Sequence, residues 1–189
     1  MNRVLLASAS PRRRELLAQL GLQFDIAAPD VDETPLPGEA PVPYVARLAV
    51  VKAAAVSAPP DTLVIAADTT VEIDGDILAK PADAAEARSM LRRLSGRTHQ
   101  VHTGVAVQLG ERSLGEVVTA HVTFVTLDDA QIDWYVGTGE PMDKAGGYAV
   151  QGAGGVFVAR VDGSVSNVIG LPLHTVVQLA AQLGVALLG

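Results

Sequence analysis

The sequence predicts an α/β protein whose sheet is partly antiparallel. Three observations carry that prediction. Residues 62–67 (TLVIAA) are apolar on both faces, as a central strand of a covered sheet must be. Short strand-like runs alternate with stretches that carry a helical apolar stripe through the first half of the chain. Two longer strand-like stretches, 99–109 and 114–126, flank the polar turn Gly110–Ser113, which predicts an antiparallel pair.

The first element is a buried strand over Arg3–Ala7, followed by a helix over Pro11–Leu20 with Leu16, Leu17 and Leu20 inward and Gly21 as its left-handed cap. Ser10 suits the N-cap and Pro11 the first helical position. Arg12, Arg13 and Arg14 then crowd the positive end of the helix dipole, where cations are disfavoured. Free N–H groups, the hydroxyls of Ser8 and Ser10 and guanidinium forks outline a phosphate site. A solvated basic turn is the ordinary alternative. A second strand is expected over Phe24–Ala27, then a long acidic, proline-rich loop over 28–42 that holds Asp30, Asp32 and Glu33. These acids suit either a functional loop or a merely solvated one.

A helix over Tyr44–Ser57 places Val45, Leu48, Ala49 and Ala53 on its apolar stripe, with Arg47 and Lys52 as its cations, for which surface snorkelling is the ordinary reading. Asp68 ends the strand at 62–67, at the place where open α/β sheets put their chemistry. The apolar surroundings would tune its basicity. A hairpin over Val71–Leu78 turns at Asp74-Gly75. Pro81 keeps Lys80 extended, a geometry that suits either a strand-end cation or a solvated one.

A helix over Asp83–Leu94 starts with a capping-box-like Asp83-x-x-Glu86 and closes at Ser95-Gly96-Arg97. His99, His102 and His121 lie on or beside the two long strands without metal-site spacing, so they are expected to be strand-face or hydrogen-bonding residues. Asp128 or Asp129 caps a helix bearing Ile132 and Trp134–Val136. A glycine-rich, charged loop runs from Gly139 to Tyr148 and on to Gln151-Gly152, with backbone N–H groups able to approach a ligand. A strand over Val156–Val161, a turn over Gly163–Asn167 and a closing helix over Leu171–Leu188 complete the chain.

With 189 residues, the chain fits one domain over 1–189 and can bury a real core. Apolar residues are 49% and charged residues 19%, which argues against a disordered chain, and there is no cysteine, so disulfide and thiolate chemistry are excluded. No signal peptide is expected ahead of the basic helix start, and no apolar run reaches the length of a membrane span. A cytoplasmic protein fits these features. The net charge of −7 argues against nucleic-acid polymers and anionic membranes as partners. It leaves room for a small polyanion met by a few local cations.

Ser8-x-Ser10-Pro11-Arg12-Arg13-x-Glu15-Leu16-Leu17, Ala67-Asp68-Thr69, Lys80-Pro81, Leu94-Ser95-Gly96, Asp143-Lys144-Ala145-Gly146-Gly147-Tyr148 and Gly170-Leu171-Pro172-Leu173 occur in this order. That ordered set resembles the Maf family from about residue 4 to residue 183. The resemblance implies a nucleoside triphosphate pyrophosphatase with an inosine triphosphate pyrophosphatase-like fold. That fold is a mixed, partly antiparallel twisted sheet with flanking helices and a cleft between two lobes. The stretch Asp143–Gly152 looks like the branch that hydrolyses dTTP and UTP. One departure is Ala79, where many relatives have glycine.

By the same resemblance, Asp68 is the proton acceptor, and Arg12, Thr69 and Gln151 govern base choice. Arg13, Glu33, Lys52 and Lys80 serve phosphate or metal, and Ser8 adds a phosphate donor. The implied reaction is attack of water on the α-phosphorus, aided by a divalent cation, Mg²⁺ or Mn²⁺, with Glu33 and Asp68 as its oxygen ligands. A glutamine amide offers both a donor and an acceptor, so Gln151 suits the O4 and N3–H edge shared by thymine and uracil. Two alternatives compete: the same chemistry on 7-methyl-GTP or another modified nucleotide, and a nucleotide-binding regulator of septum formation with little turnover. The partner expected is a nucleoside triphosphate substrate. A homodimer is the expected assembly, as symmetric dimers are the commonest oligomers.

Overall fold

The computed structural model describes residues 3–188, so residues 1, 2 and 189 of the expected domain lie outside the described residues. The first apolar run is strand β1, Arg3–Ala7, and the serine–proline signal starts helix α1, Pro11–Ala18. Leu16 and Leu17 are buried, but Leu20 lies beyond the helix and is only half-buried. Strand β2 is Asp25–Ile26, paired parallel to β1. Helix α2 is Pro41–Ala54, shifted toward the N-terminus from the expected 44–57. Pro41 and Pro43 are tolerated in a first turn because their missing N–H groups need no partner there. At the far end, Pro59 biases Ala58 toward extended backbone.

Strand β3 is Thr62–Ile73 and corrects the expectation that Asp68 ends a strand. The chain runs straight through Asp68 because Thr69, Thr70, Val71 and Ile73 are β-branched. The ladder simply changes partner. Residues 62–66 pair parallel with β1, and residues 71–73 pair antiparallel with β4, Asp76–Leu78, across the Asp74-Gly75 turn.

Helix α3, Ala84–Leu94, is capped by Asp83, whose carboxylate accepts from Glu86 N at 2.8 Å. Strands β5, Thr98–Leu109, and β6, Arg112–Phe124, meet at a two-residue turn, which forces them antiparallel. Asp128 forms a full capping box with Gln131 at the start of α4, Asp129–Gly137.

Residues 140–157 hold three short 3₁₀ turns. The last of these delays strand β7 to Val158–Asp162. The expected turn at 163–167 gives way to a short helix, α5, Val165–Ile169. Helix α6 is Leu173–Gln182, well short of the expected 171–188. Gly184 ends it: its φ is 87°, Gly184 N donates to Ala181 O at 2.9 Å and Val185 N to Ala180 O at 2.9 Å, a Schellman closure.

Among the described residues, the seven strands form one mixed sheet in the order β2-β1-β3-β5-β6-β7, with β4 on β3. The flanking helices and mixed sheet agree with the expected α/β class. The chain divides into two compact units. The first takes the chain up to Asp68, Thr103–Val118 and the chain from Gly170; the second takes Thr69–His102 and Thr119–Ile169. The first unit has a core of small residues, Ala7, Ala49, Ala53, Ala66 and Ala106, with Leu5 and Val64. These small side chains let α2 lie close on the sheet. At Gly104 the approach is so tight that a Cβ would sit 2.2 Å from Val45 O. The second unit is aromatic: Phe124, Tyr135, Tyr148 and Phe157 pack largely edge to face, as ring quadrupoles prefer.

Candidate active site

In the first unit, the end of β1 and the start of α1 build an anion-type corner. Ser8 is buried, and its Oγ accepts from Ser10 N at 3.2 Å and from Arg13 Nη1 at 3.3 Å. Arg13 Nε donates to Gly170 O at 2.8 Å, so the guanidinium is fixed at both sides. Burial pulls the Arg13 pKa down, and Asp68 opposes that pull. Arg12, next along α1, is half-buried, and its charge also depresses Arg13.

The second part of this site is carried by α2 and β3. Lys52 lies on the face of α2 that carries Leu48, Ala49 and Ala53, so packing draws it inward. Its Nζ donates to Asp68 Oδ1 at 2.6 Å and meets Glu33 Oε1 at 2.7 Å. The Lys52 and Asp68 side chains are 7% and 8% exposed, whereas Glu33 is 51% exposed. Surface snorkelling therefore does not describe Lys52. It does describe Arg47 in part: its Nε and Nη2 grip the Glu39 carboxylate at 2.6 Å each, stapling the acidic loop.

Burial pushes the Asp68 pKa up, and the opposing pull of Lys52 and Arg13 does not cancel that shift. The Tyr44 hydroxyl donates to Glu33 O at 2.9 Å and so holds the loop that carries Glu33. The Tyr44 phenol is pushed up to about 12 by burial and by the nearby Asp68 and Glu33 charges.

The structure thus brings Ser8 and Arg13 together, and Glu33, Lys52 and Asp68 together. Thr69, Lys80 and Gln151 belong to the second unit. Thr69 is half-buried in β3, Lys80 is exposed after β4, and Gln151 is exposed in a turn closed by Gly152 N on Ala149 O at 3.3 Å. His99 bonds to Tyr148 OH at 2.8 Å, and His102 bonds to Thr119 Oγ1 at 2.8 Å and Glu72 Oε2 at 3.2 Å, while His121 is exposed on β6.

Among the described residues no group of three or more His, Asp or Glu could hold a metal. Glu33 and Asp68 nevertheless lie within two hydrogen-bond lengths of each other through one ammonium. Two such carboxylate donors fit Mg²⁺, which takes one or two carboxylates and completes its shell with substrate phosphates and water.

Local sequence reasoning missed Tyr44, Glu39 and the Gly170 carbonyl. Each acts across a distance in the chain that no helix or strand period spans.

The Maf-like protein family model matches residues 3–183. The chain belongs to the Maf family. It is 56% identical over 186 residues to a dTTP/UTP pyrophosphatase of Anaeromyxobacter dehalogenans (strain 2CP-C), with 96% of this chain and 94% of that relative covered. It is 55% identical over 185 residues to a dTTP/UTP pyrophosphatase of Myxococcus xanthus (strain DK1622), with 97% and 94% covered. Among solved structures, the Staphylococcus aureus Ham1 protein is similar at a TM-score of 0.47 and 17% identity, over 65% of this chain and 71% of that one. Among the described residues of this Maf protein, no helix is long and apolar enough to cross a membrane.

Proposed function

We propose that this Maf protein is a pyrophosphatase that hydrolyses dTTP and UTP to the nucleoside monophosphate and pyrophosphate. The observation that carries the reading is Asp68, a buried carboxylate that shares the Lys52 ammonium with Glu33, at 2.6 Å and 2.7 Å; burial also pushes its pKa up. A carboxylate whose pKa is raised is a better proton acceptor than an ordinary one. Asp68 takes the proton of the water that attacks the α-phosphorus. Lys52 and Arg13 offset the charge of the phosphates, and Ser8 adds a donor beside them. Glu33 and Asp68 would hold a divalent cation, Mg²⁺ or Mn²⁺, which when bound would neutralise phosphate charge and polarise the water. Lys80 is assigned to phosphate, and Arg12, Thr69 and Gln151 to base choice, on their match to the family motif. The protein acts in the cytoplasm as a homodimer, a setting that its lack of cysteine fits and an assembly that symmetry favours.

Pyrophosphate release from a panel of dTTP, UTP, CTP, GTP and 7-methyl-GTP with Mg²⁺ or Mn²⁺ tests this reading. The expected result is fastest release from dTTP and UTP. Fastest release from 7-methyl-GTP overturns the base assignment. Tight dTTP binding with no pyrophosphate released from any nucleotide overturns the activity and leaves a nucleotide-binding regulator.

A further inference from the structure

Gln151 sits in a loop whose two ends are tied to a single pair of side chains. Glu140 opens the first 3₁₀ turn after α4. Its Oε1 accepts from Tyr135 OH at 2.7 Å and from Gly154 N at 3.0 Å, and its Oε2 accepts from Ala153 N at 3.0 Å. The same Tyr135 hydroxyl accepts from Ala149 N at 3.1 Å. The backbone is therefore pinned two residues before Gln151 and again two and three residues after it. The glycines permit this approach. A Cβ on Gly152 would lie 2.3 Å from a Glu140 carboxylate oxygen, and one on Gly154 would lie 2.6 Å from the Tyr135 hydroxyl.

Tyr135 is fully buried, while Gln151 is exposed and makes no hydrogen bond to the protein among the described residues. A well-held backbone thus presents an unengaged amide.

We propose that Tyr135 and Glu140 are positioning residues that fix where Gln151 offers its amide and thereby take part in choosing the base. This rests on the reading of Gln151 as the residue that meets the pyrimidine edge. A base-reading amide discriminates only when its donor and acceptor are held in register with the base, because selectivity comes from leaving the wrong base unpaired. A tether that slackens by a fraction of a hydrogen-bond length lets the amide follow either edge.

The test is the ratio of kcat/KM for dTTP to that for CTP, measured for wild type, Tyr135→Phe, Gln151→Ala and the double variant, with Tm for each. Phenylalanine keeps the ring that packs edge-on to Phe157 with centroids 5.2 Å apart, and it removes only the hydroxyl. Tyr135→Phe is expected to lower the ratio by about tenfold, the equivalent of one hydrogen bond's discrimination, through KM more than kcat. In the Gln151→Ala background it is expected to change the ratio no further. Glu140→Gln, which keeps the side chain's size but swaps an acceptor for a donor, is expected to act in the same direction.

A lower Tm with an unchanged ratio means the pair is only structural, and it overturns the proposal while leaving the Gln151 reading intact. An equal fall in both backgrounds means the pair acts on some other group and also overturns it. If Gln151→Ala itself keeps the wild-type ratio, the base assignment falls first and the proposal falls with it.

Discussion

Asp68 and Glu140 are two carboxylates withdrawn from water and held in opposite ways. Asp68 is met by a charge, the Lys52 ammonium at 2.6 Å, with burial as the largest influence on it, and its pKa rises. Glu140 is half-buried and is met by aimed donors: two backbone N–H groups and a phenol. Burial pushes its pKa up, but the bonds from Gly154, Tyr135 and Ala153 outweigh that push and hold it below the ordinary carboxylate range. The fold thereby separates chemistry from scaffolding. Saturating an acid with hydrogen bonds removes its basicity and turns it into a fastener. Burying it beside a single ammonium leaves it basic.

The largest effect that sharpens this contrast is on turnover. Asp68→Asn is expected to lower kcat for dTTP by roughly 10³-fold, the worth of a positioned general base, with Tm moved by only a few degrees. Lys52 keeps Glu33 at 2.7 Å in that variant, so its ammonium is not orphaned. Near-wild-type kcat would remove Asp68 from the reaction and erase the distinction between the two acids. The next effect is on stability. Glu140→Gln sets an amide against N–H donors and is expected to lower unfolding free energy by about 2 kcal/mol, read by urea denaturation. A smaller loss than with Asp68→Asn would invert the assignment of fastener and base.

The same two variants predict opposite pH slopes. The folded-state pKa of Glu140 lies below the ordinary 4.5, so its stabilisation is full above that value and is lost as pH falls through the lowered one. The Tm advantage of wild type over Glu140→Gln should therefore grow as pH rises through the acid range. The folded-state pKa of Asp68 lies above 3.8, so the folded chain holds that proton more tightly than the unfolded one, and stability falls as pH rises through the raised value. Wild type should lose ground to Asp68→Asn over the same climb. Scanning calorimetry at stepped pH decides, and slopes of one sign for both variants would mean that the two acids are held alike.

These contrasts also mark what the sequence could tell. The corner at Ser8–Arg13 was legible because capping is local: Ser10, Pro11 and the arginines are neighbours. The 62–67 strand was legible from its apolar run, but its continuation was not, because Asp68-Thr69-Thr70 suits a turn as well as a strand. The closing helix was overdrawn because Gly184 interrupts an apolar run without changing its hydropathy. Lys52 looked like a surface cation because its partner Asp68 is 16 residues away, a separation that no periodicity encodes. The Tyr135–Glu140 clamp was invisible, since its bonds reach backbone N–H groups, which leave no mark in composition. Family motifs, not local chemistry, assigned the roles of Arg12, Thr69, Lys80 and Gln151.

The smallest predicted effect isolates burial from distance. Arg88 Nε on α3 meets Asp133 Oδ1 on α4 at 2.6 Å, the same separation as Lys52–Asp68, but with side chains 35% and 60% exposed. Water screens that pair and competes for both partners, so closeness alone confers little. Arg88→Ala is expected to lower unfolding free energy by less than about 1 kcal/mol, and the difference from wild type should shrink further in high salt, where surface charges are screened. Urea denaturation at low and high salt measures both. A loss as large as that from Glu140→Gln, persisting in high salt, would mean that contact distance and not burial sets the worth of a charge pair in this fold. The raised basicity of Asp68 would then need a cause other than its withdrawal from water.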